Sequence, residues 1–402
     1  MRTQEVFHCT IMRGGTSKAV FLKRNELPED AALRDRIILA IFGSPDVRQI
    51  DGLGGADITT SKVAIIGPPT REDADVDYTF GQVQLKTAEV IWNANCGNIS
   101  SAVGPYAIDE GMVKVTEPIT TVRIHNTNTG KILVAEVEVE EGFAKVEGDF
   151  SIDGVPGTGS KIRLNFAGTA GASTGKLLPT GNPMDILDVD GLGKIPVSIV
   201  DLANTVAFVE AESVGATGME SAPEIRANVQ LCDRLEKVRQ AAALACGFIR
   251  SGDSALEKSP IRPIIAFVAP AKDYLDYGTG KQIFGADMDF TARNLFNQLP
   301  TDTFPTTATF CIVTAAQIDG TLVNKVCRPR AHTENLVRFG HSRGINRVEV
   351  EVDNTPDGPH VKRAIFTRTA RRIMDGYVYV RKSVLENSVD TYIIPTDKGA
   401  ER

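Results

Sequence analysis

The chain has 402 residues, 42% of them hydrophobic and 24% charged, with 36 Gly, 20 Pro and 6% aromatic residues, which fits a globular protein and excludes collagen-like, disordered and disulfide-dense classes. The 44 Lys and Arg against 51 Asp and Glu leave a net charge of -7, so nucleic acid and anionic membrane are not expected partners, and any anionic ligand needs a local cluster of positive groups. No run approaches the ~18 apolar residues of a membrane span, and Met1 to Thr10 is too polar for a signal peptide, so the chain reads as cytoplasmic.

In chain order, residues 7–12 and 19–22 read as strands on either side of a charged turn. Residues 76–83, 88–92, 122–125 and 132–139 follow as half-buried strands separated by turns at Asn128 to Gly130 and Glu140 to Gly142. After Trp92 comes Asn93, Ala94, Asn95, Cys96, Gly97, Asn98, and then Ile99, Val103, Tyr106 and Ile108 recur near helical spacing among small residues. That pattern predicts a helix enclosed on all sides, with Pro105 as a kink. A Pro- and Gly-rich stretch from Pro179 to Pro196 reads as the crossing between halves. The second half predicts strands at 197–200, 207–209 and 264–268, one long amphipathic helix over 224–246, and an apolar helix at 307–318 that is the counterpart of the first enclosed helix. The boundaries expected are therefore 1–185, 186–384 and a frayed polar tail over 385–402.

The six cysteines form no C-x-x-C pair and the five histidines stand apart, so zinc-ribbon and dithiol redox motifs are not expected. The run Gly52, Leu53, Gly54, Gly55 fails as a dinucleotide fingerprint because Asp57 holds the last glycine position. Thr174, Gly175, Lys176 fails as a P-loop because Leu177 follows the lysine. No cofactor is expected.

Three segments carry chemistry. In Met12 to Lys18, the adjacent Gly14 and Gly15 let backbone N–H groups converge, while Arg13 and Lys18 add charge and Thr16 and Ser17 add hydroxyls, a composition suited to caging a carboxylate. The same segment reads equally well as a plain hairpin turn. Lys62 borders the apolar Val63 to Ile66, where desolvation favours a neutral amine able to act as a base, although a lysine snorkelling at a strand edge fits too. Cys96 stands at the start of the enclosed helix, where N–H groups and the helix dipole stabilise a thiolate and Gly97 leaves room for a substrate. The remaining cysteines read as small buried hydrophobes.

Asn95, Cys96, Gly97, Asn98 resembles the signature of the diaminopimelate-epimerase-like fold, an α+β architecture in which two similar halves each wrap strands around a central helix, with the active site in the cleft between them. Arg13 to Lys18, Ser44 to Asp57, Ser61 and Lys62, Asn95 to Asn98, His125 to Gly130, Gly175 to Asn182 and Arg368 to Met374 resemble the PrpF family of that fold, over nearly the whole chain to about Val380. The resemblance implies an isomerase that moves a carbon-carbon double bond in a small unsaturated di- or tricarboxylate of methylitaconate, methylaconitate, aconitate or oxalomesaconate type. It implies Lys62 and Cys96 as the acid/base pair, with Arg13, Gly14, Gly15, Thr16, Ser17, Lys18, Asn95, Gly97 and Asn98 around the substrate. In the second half it implies Thr314, His341 and Arg343 near the variable part of the substrate. There the family's G-H-P-S-G stands as Gly340, His341, Ser342, Arg343, Gly344, and its D-x-A-N-P as Asp201 to Thr205.

The expected chemistry is a 1,3 proton shift that requires no metal or cofactor, and the expected partners are a small polycarboxylate and, if the chain self-associates, a second copy. Two rival readings are a racemase or epimerase that takes a second thiol from Cys311, and a non-enzymatic accessory protein of an aconitase-like partner. The apolar neighbours Phe310 and Ile312 place Cys311 in the core instead.

Overall fold

The computed structural model describes residues 3–92, 96–152 and 154–386. The chain divides into two compact units, residues 1–164 together with the stretch from Thr367, and residues 165–366.

In the first unit β1 (Gln4–Gly14) turns back as β2 (Ser17–Lys23), and α1 (Ala31–Phe42) leads to β3 (Lys62–Gly67) and β4 (Val76–Val83). After the short β5 (Val90–Ile91), α2 (Gly97–Asp109) precedes β6 (Ile119–Asn126) and β7 (Lys131–Glu140). These match the strands and the enclosed helix expected from periodicity. Two glycines and Pro105 cost α2 about 5 kcal/mol in propensity relative to alanine. Burial of Ile99, Val103, Tyr106 and Ile108, each worth about 1.5–3 kcal/mol, outweighs that, so packing rather than local preference makes this helix. Gly104 presses it against Ala135 and Val137 of β7. On the other face of the sheet, Ile37, Ile38, Ile41 and Phe42 of α1 pack over Val20, Leu22, Val63 and Ile65.

The division at Leu164 and Thr367 replaces the crossing expected near residue 185. The reason is strand pairing: Ala370–Arg381 runs antiparallel to β1 from Gln4↔Arg381 to Gly14↔Ala370, so the C-terminal strand completes the first unit. Of the expected tail, residues 387–402 lie outside the described residues.

The second unit repeats the plan without repeating the sequence. In the first unit successive pairings run β1–β2 antiparallel, β2–β3 parallel, β3–β4 antiparallel, β4–β6 parallel and β6–β7 antiparallel. In the second, Gly193–Leu202, Asn204–Glu210, Ile264–Pro270, Phe290–Phe296, Leu336–His341 and Gly344–Thr355 alternate in the same order. The helix Thr306–Gln317 enters between the fourth and fifth of these strands, where α2 enters in the first unit. The architecture is α+β with strands around a central helix in each unit, as expected.

The single long helix expected over 224–246 is two helices, α3 (Ala222–Ala227) and α4 (Val229–Ala245). Asn228, with ψ 80°, leaves helical geometry and its side chain accepts from the Leu231 N–H, so a residue inside the apolar periodicity serves as a cap. Among the described residues no helix is long and apolar enough to cross a membrane.

Candidate active site

The segment Arg13 to Lys18 is the tip of the β1–β2 hairpin, closed by the pair Gly14↔Ser17. The hairpin expected there is thus present. Gly15 has φ 52°, and a Cβ on either glycine would collide with Asn98. Two bare glycines are what let this tip lie against the first turn of α2. The tip is braced by Gly15 N–H donating to the Thr369 carbonyl at 2.9 Å. Arg13 Nη1 donates to the carbonyls of Gly15 and Thr369 at 3.0 and 2.8 Å, so this arginine supports the turn as well as charging it. Burial, and secondarily Arg371, moves the Arg13 guanidinium below its ordinary pKa.

At the start of α2, Cys96 occupies the N-cap position in extended conformation, and its carbonyl accepts from both the N–H and the hydroxyl of Ser100 at 2.9 Å. Its side chain does not cap the helix. The first N–H groups of a helix lack intrahelical acceptors, and here they surround Gly97 and Asn98. Asn98 donates from Nδ2 to Thr16 Oγ1 at 3.0 Å and accepts at Oδ1 from Arg368 Nε at 3.1 Å. Asn95 lies outside the described residues.

Lys62 opens β3, pairs with Ala19 of β2, and is nearly buried. Its ammonium donates to Gln82 Oε1 at 2.7 Å and stands 5.3 Å from the centre of the Phe80 ring. Lys18 N–H donates to the Thr59 carbonyl at 2.9 Å, tying the 51–61 loop to the same hairpin, and its ammonium lies over Gly55. Beside this loop, Gln49 accepts from Ser61 Oγ at 2.7 Å and Ala56 N–H at 2.8 Å while donating to Ser44 at 2.9 Å. Asp57 is held below the usual carboxylate range by Thr59 hydrogen bonds, with Lys62 a smaller contribution. The hairpin is thus the common neighbour of Lys62 and of the first turn of α2.

Two groups here escaped sequence reading. Gln82 stands across the β3–β4 ladder from Lys62, twenty residues away in sequence, with no motif to mark it. Tyr78 is fully buried, and burial, with Cys96 next in order, keeps its hydroxyl protonated by raising its pKa well above the usual tyrosine value. Tyr78, Phe80 and Gln82 alternate along β4 and so share one face. The only sequence signal was that period of two.

The residues expected from the second half sit within the second unit. Thr314 lies in the third turn of Thr306–Gln317 and is fully buried, away from that helix's N-terminus. His341 ends its strand, buried, with Nδ1 accepting from the Arg343 N–H at 3.2 Å. Burial and then Arg293 lower its pKa to about 4, so it is neutral near pH 7. The charge of Arg343 is engaged by Asp276 at 2.6 Å and Asp302 at 3.8 Å, and its guanidinium stacks over Tyr277. Cys311 is fully buried, donates to the Leu202 and Asn204 carbonyls at 3.2 and 2.9 Å, and burial raises its pKa far above the ordinary thiol value. In the repeated plan the position equivalent to Cys96 is Pro305, the N-cap of the second central helix. The N-terminus of the second central helix therefore carries no thiol to match Cys96.

A helix-capping cysteine, a buried lysine and a glycine hairpin between them are brought together in the first unit. The model of the family described as PrpF protein matches residues 4–381, and the chain belongs to that family. It is 54% identical to 3-methylitaconate isomerase of Eubacterium barkeri, over 96% of this chain and 100% of that one. It is 38% identical to 2-methyl-aconitate isomerase of Cupriavidus necator, over 92% and 96% respectively. A crystal structure of methylitaconate-delta-isomerase superposes with a TM-score of 0.91 at 52% identity, covering 97% of this chain and all of that one.

Proposed function

We propose that this protein is an isomerase that moves a carbon-carbon double bond in a small unsaturated di- or tricarboxylate by a 1,3 proton shift, with Lys62 and Cys96 as proton carriers. The observation that carries this reading is the glycine hairpin, which adjoins Lys62 through Ala19 and seats against the α2 turn that Cys96 begins. One carrier takes the proton from an sp3 carbon that is allylic and beside a carboxylate. The C–H electron pair passes into the conjugated system as a dienolate. The other carrier then delivers a proton to the far carbon, and exchange with water restores both carriers.

A carboxylate-flanked carbon is a weak acid, so the charge of the dienolate has to be dispersed. Proton transfer by a positioned side chain supplies about 10²–10⁴-fold, and the rest is assigned to electrostatics. Arg13, Lys18, the hydroxyls of Thr16 and Ser17, and the N–H groups around Gly97 are the groups available to hold carboxylates.

The test is a panel of methylitaconate, methylaconitate, aconitate and oxalomesaconate followed by proton NMR in deuterium oxide. Conversion of at least one acid, with deuterium entering the migrating position, is expected. Absence of both turnover and exchange for every acid would refute the proposal.

A further inference from the structure

We infer that Gln82 is a positioning residue for the reaction, holding the Lys62 amine at the angle from which it exchanges protons with substrate; this rests on the reading of Lys62 as a proton carrier. Lysine reaches its nitrogen through four rotatable bonds, and fixing them costs up to about 2 kcal/mol of rotamer freedom. The Phe80 ring gives that nitrogen a surface but no direction. Direction comes from Gln82 Oε1 at 2.7 Å.

The orientation of the Gln82 amide is itself determined. Its Nε2 donates to the carbonyls of Ser61 and Ile58 at 2.9 and 3.1 Å, so reversing the amide would set oxygen against two carbonyl oxygens. Oε1 must then face Lys62. Ser61 is fixed in turn by Gln49, which is buried and also held by Ser44 and Ala56. A chain of neutral amides and hydroxyls thus runs from the Ser44–Gln49 segment to the amine. When Lys62 is neutral, committing one N–H to Oε1 confines its lone pair to the directions away from Gln82. When it is charged, the same oxygen accepts from the ammonium.

The acceptor at position 82 can be replaced in two ways that act oppositely on the amine. Among the described residues, Asp57 of the 51–61 loop interacts electrostatically with Lys62, and it stays constant across the variants. Leucine at position 82 removes an acceptor from the ammonium, whereas glutamate adds a negative charge.

The experiment measures kcat, KM and pH profiles for Q82L and Q82E beside K62A, with thermal unfolding to check each fold and Q82M in place of Q82L if that variant unfolds. The expected result is a fall in kcat of about tenfold or more in Q82L with KM within about threefold. The limb that follows Lys62 moves to lower pH in Q82L and to higher pH in Q82E. Limbs that stay in place, or move the same way in both variants, overturn the inference while leaving Lys62 as a carrier if K62A is inactive. Proton exchange that persists in K62A overturns the reading of Lys62, and this inference with it.

Discussion

Gly15 fits beneath Asn98 only because it has no side chain: a Cβ there would run into the Asn98 carboxamide, which is itself held between Thr16 and Arg368. The hairpin and the helix that carries Cys96 are registered through this contact, so the site depends on a distance set by the absence of an atom.

Gly15→Ala should therefore lose both stability and activity. The left-handed φ of 52° costs a side chain about 1–2 kcal/mol, and the collision adds to that. A fall in kcat/KM of about tenfold or more is expected from turnover assays, because the displaced turn is the one that carries the proposed anion-binding groups. Gly130→Ala is the control: its φ is 67° with nothing within 4 Å of the added methyl, so it should cost stability alone. Equal activity losses in the two variants would show that the contact with Asn98 is irrelevant.

The two cysteines on central helices should behave oppositely. Cys96→Ala should abolish deuterium exchange into substrate. Cys311→Ala should leave turnover within about twofold and cost about 1–2 kcal/mol in chemical denaturation, since it removes a buried thiol and its bonds to two carbonyls. Loss of exchange in Cys311→Ala, with the fold intact, would favour the two-thiol mechanism instead.

His341 should make the protein sensitive to acid. Its pKa is lowered from 6.5 to about 4 by burial first and by Arg293 second, so the unfolded chain binds the proton more readily than the folded one. The stability contributed by keeping it neutral is complete above pH 6.5 and lost as pH falls from 6.5 towards 4, on the order of 3 kcal/mol in all. His341→Gln should flatten that part of a stability-against-pH curve measured by urea unfolding. An unchanged slope would mean that other groups govern the acid limb.

Much of this candidate site was readable locally. Gly14 and Gly15, Lys62 and Cys96 lie in short contiguous motifs whose chemistry follows from neighbours in sequence. Both central helices were legible because an apolar run of small residues has few other places to go. What was not legible depends on register: Gln82 meets Lys62 only through the β3–β4 ladder, and Tyr78 shares their face only because residues 78, 80 and 82 alternate. The same is true of Ala370–Arg381, whose membership in the first unit is a pairing across more than three hundred residues. Asn228 shows the converse, a local capping signal hidden inside a convincing helical period.

Arg343 is where the expected role and the observed contacts part. The resemblance placed Arg343 near the variable part of the substrate, but two carboxylates of the chain itself already surround it. The guanidinium also packs over Gly278, where a Cβ would clash with it, so its position is set by the 276–280 turn. Asp276 gains from the arrangement, held below the usual carboxylate range by Thr279 first and with a smaller contribution from Arg343. Arg343→Ser should therefore loosen this turn and raise its susceptibility to limited proteolysis, while altering KM for tricarboxylates and dicarboxylates by the same factor. A loss confined to tricarboxylates would mean that substrate displaces Asp276 and Asp302, and would restore the ligand-binding role.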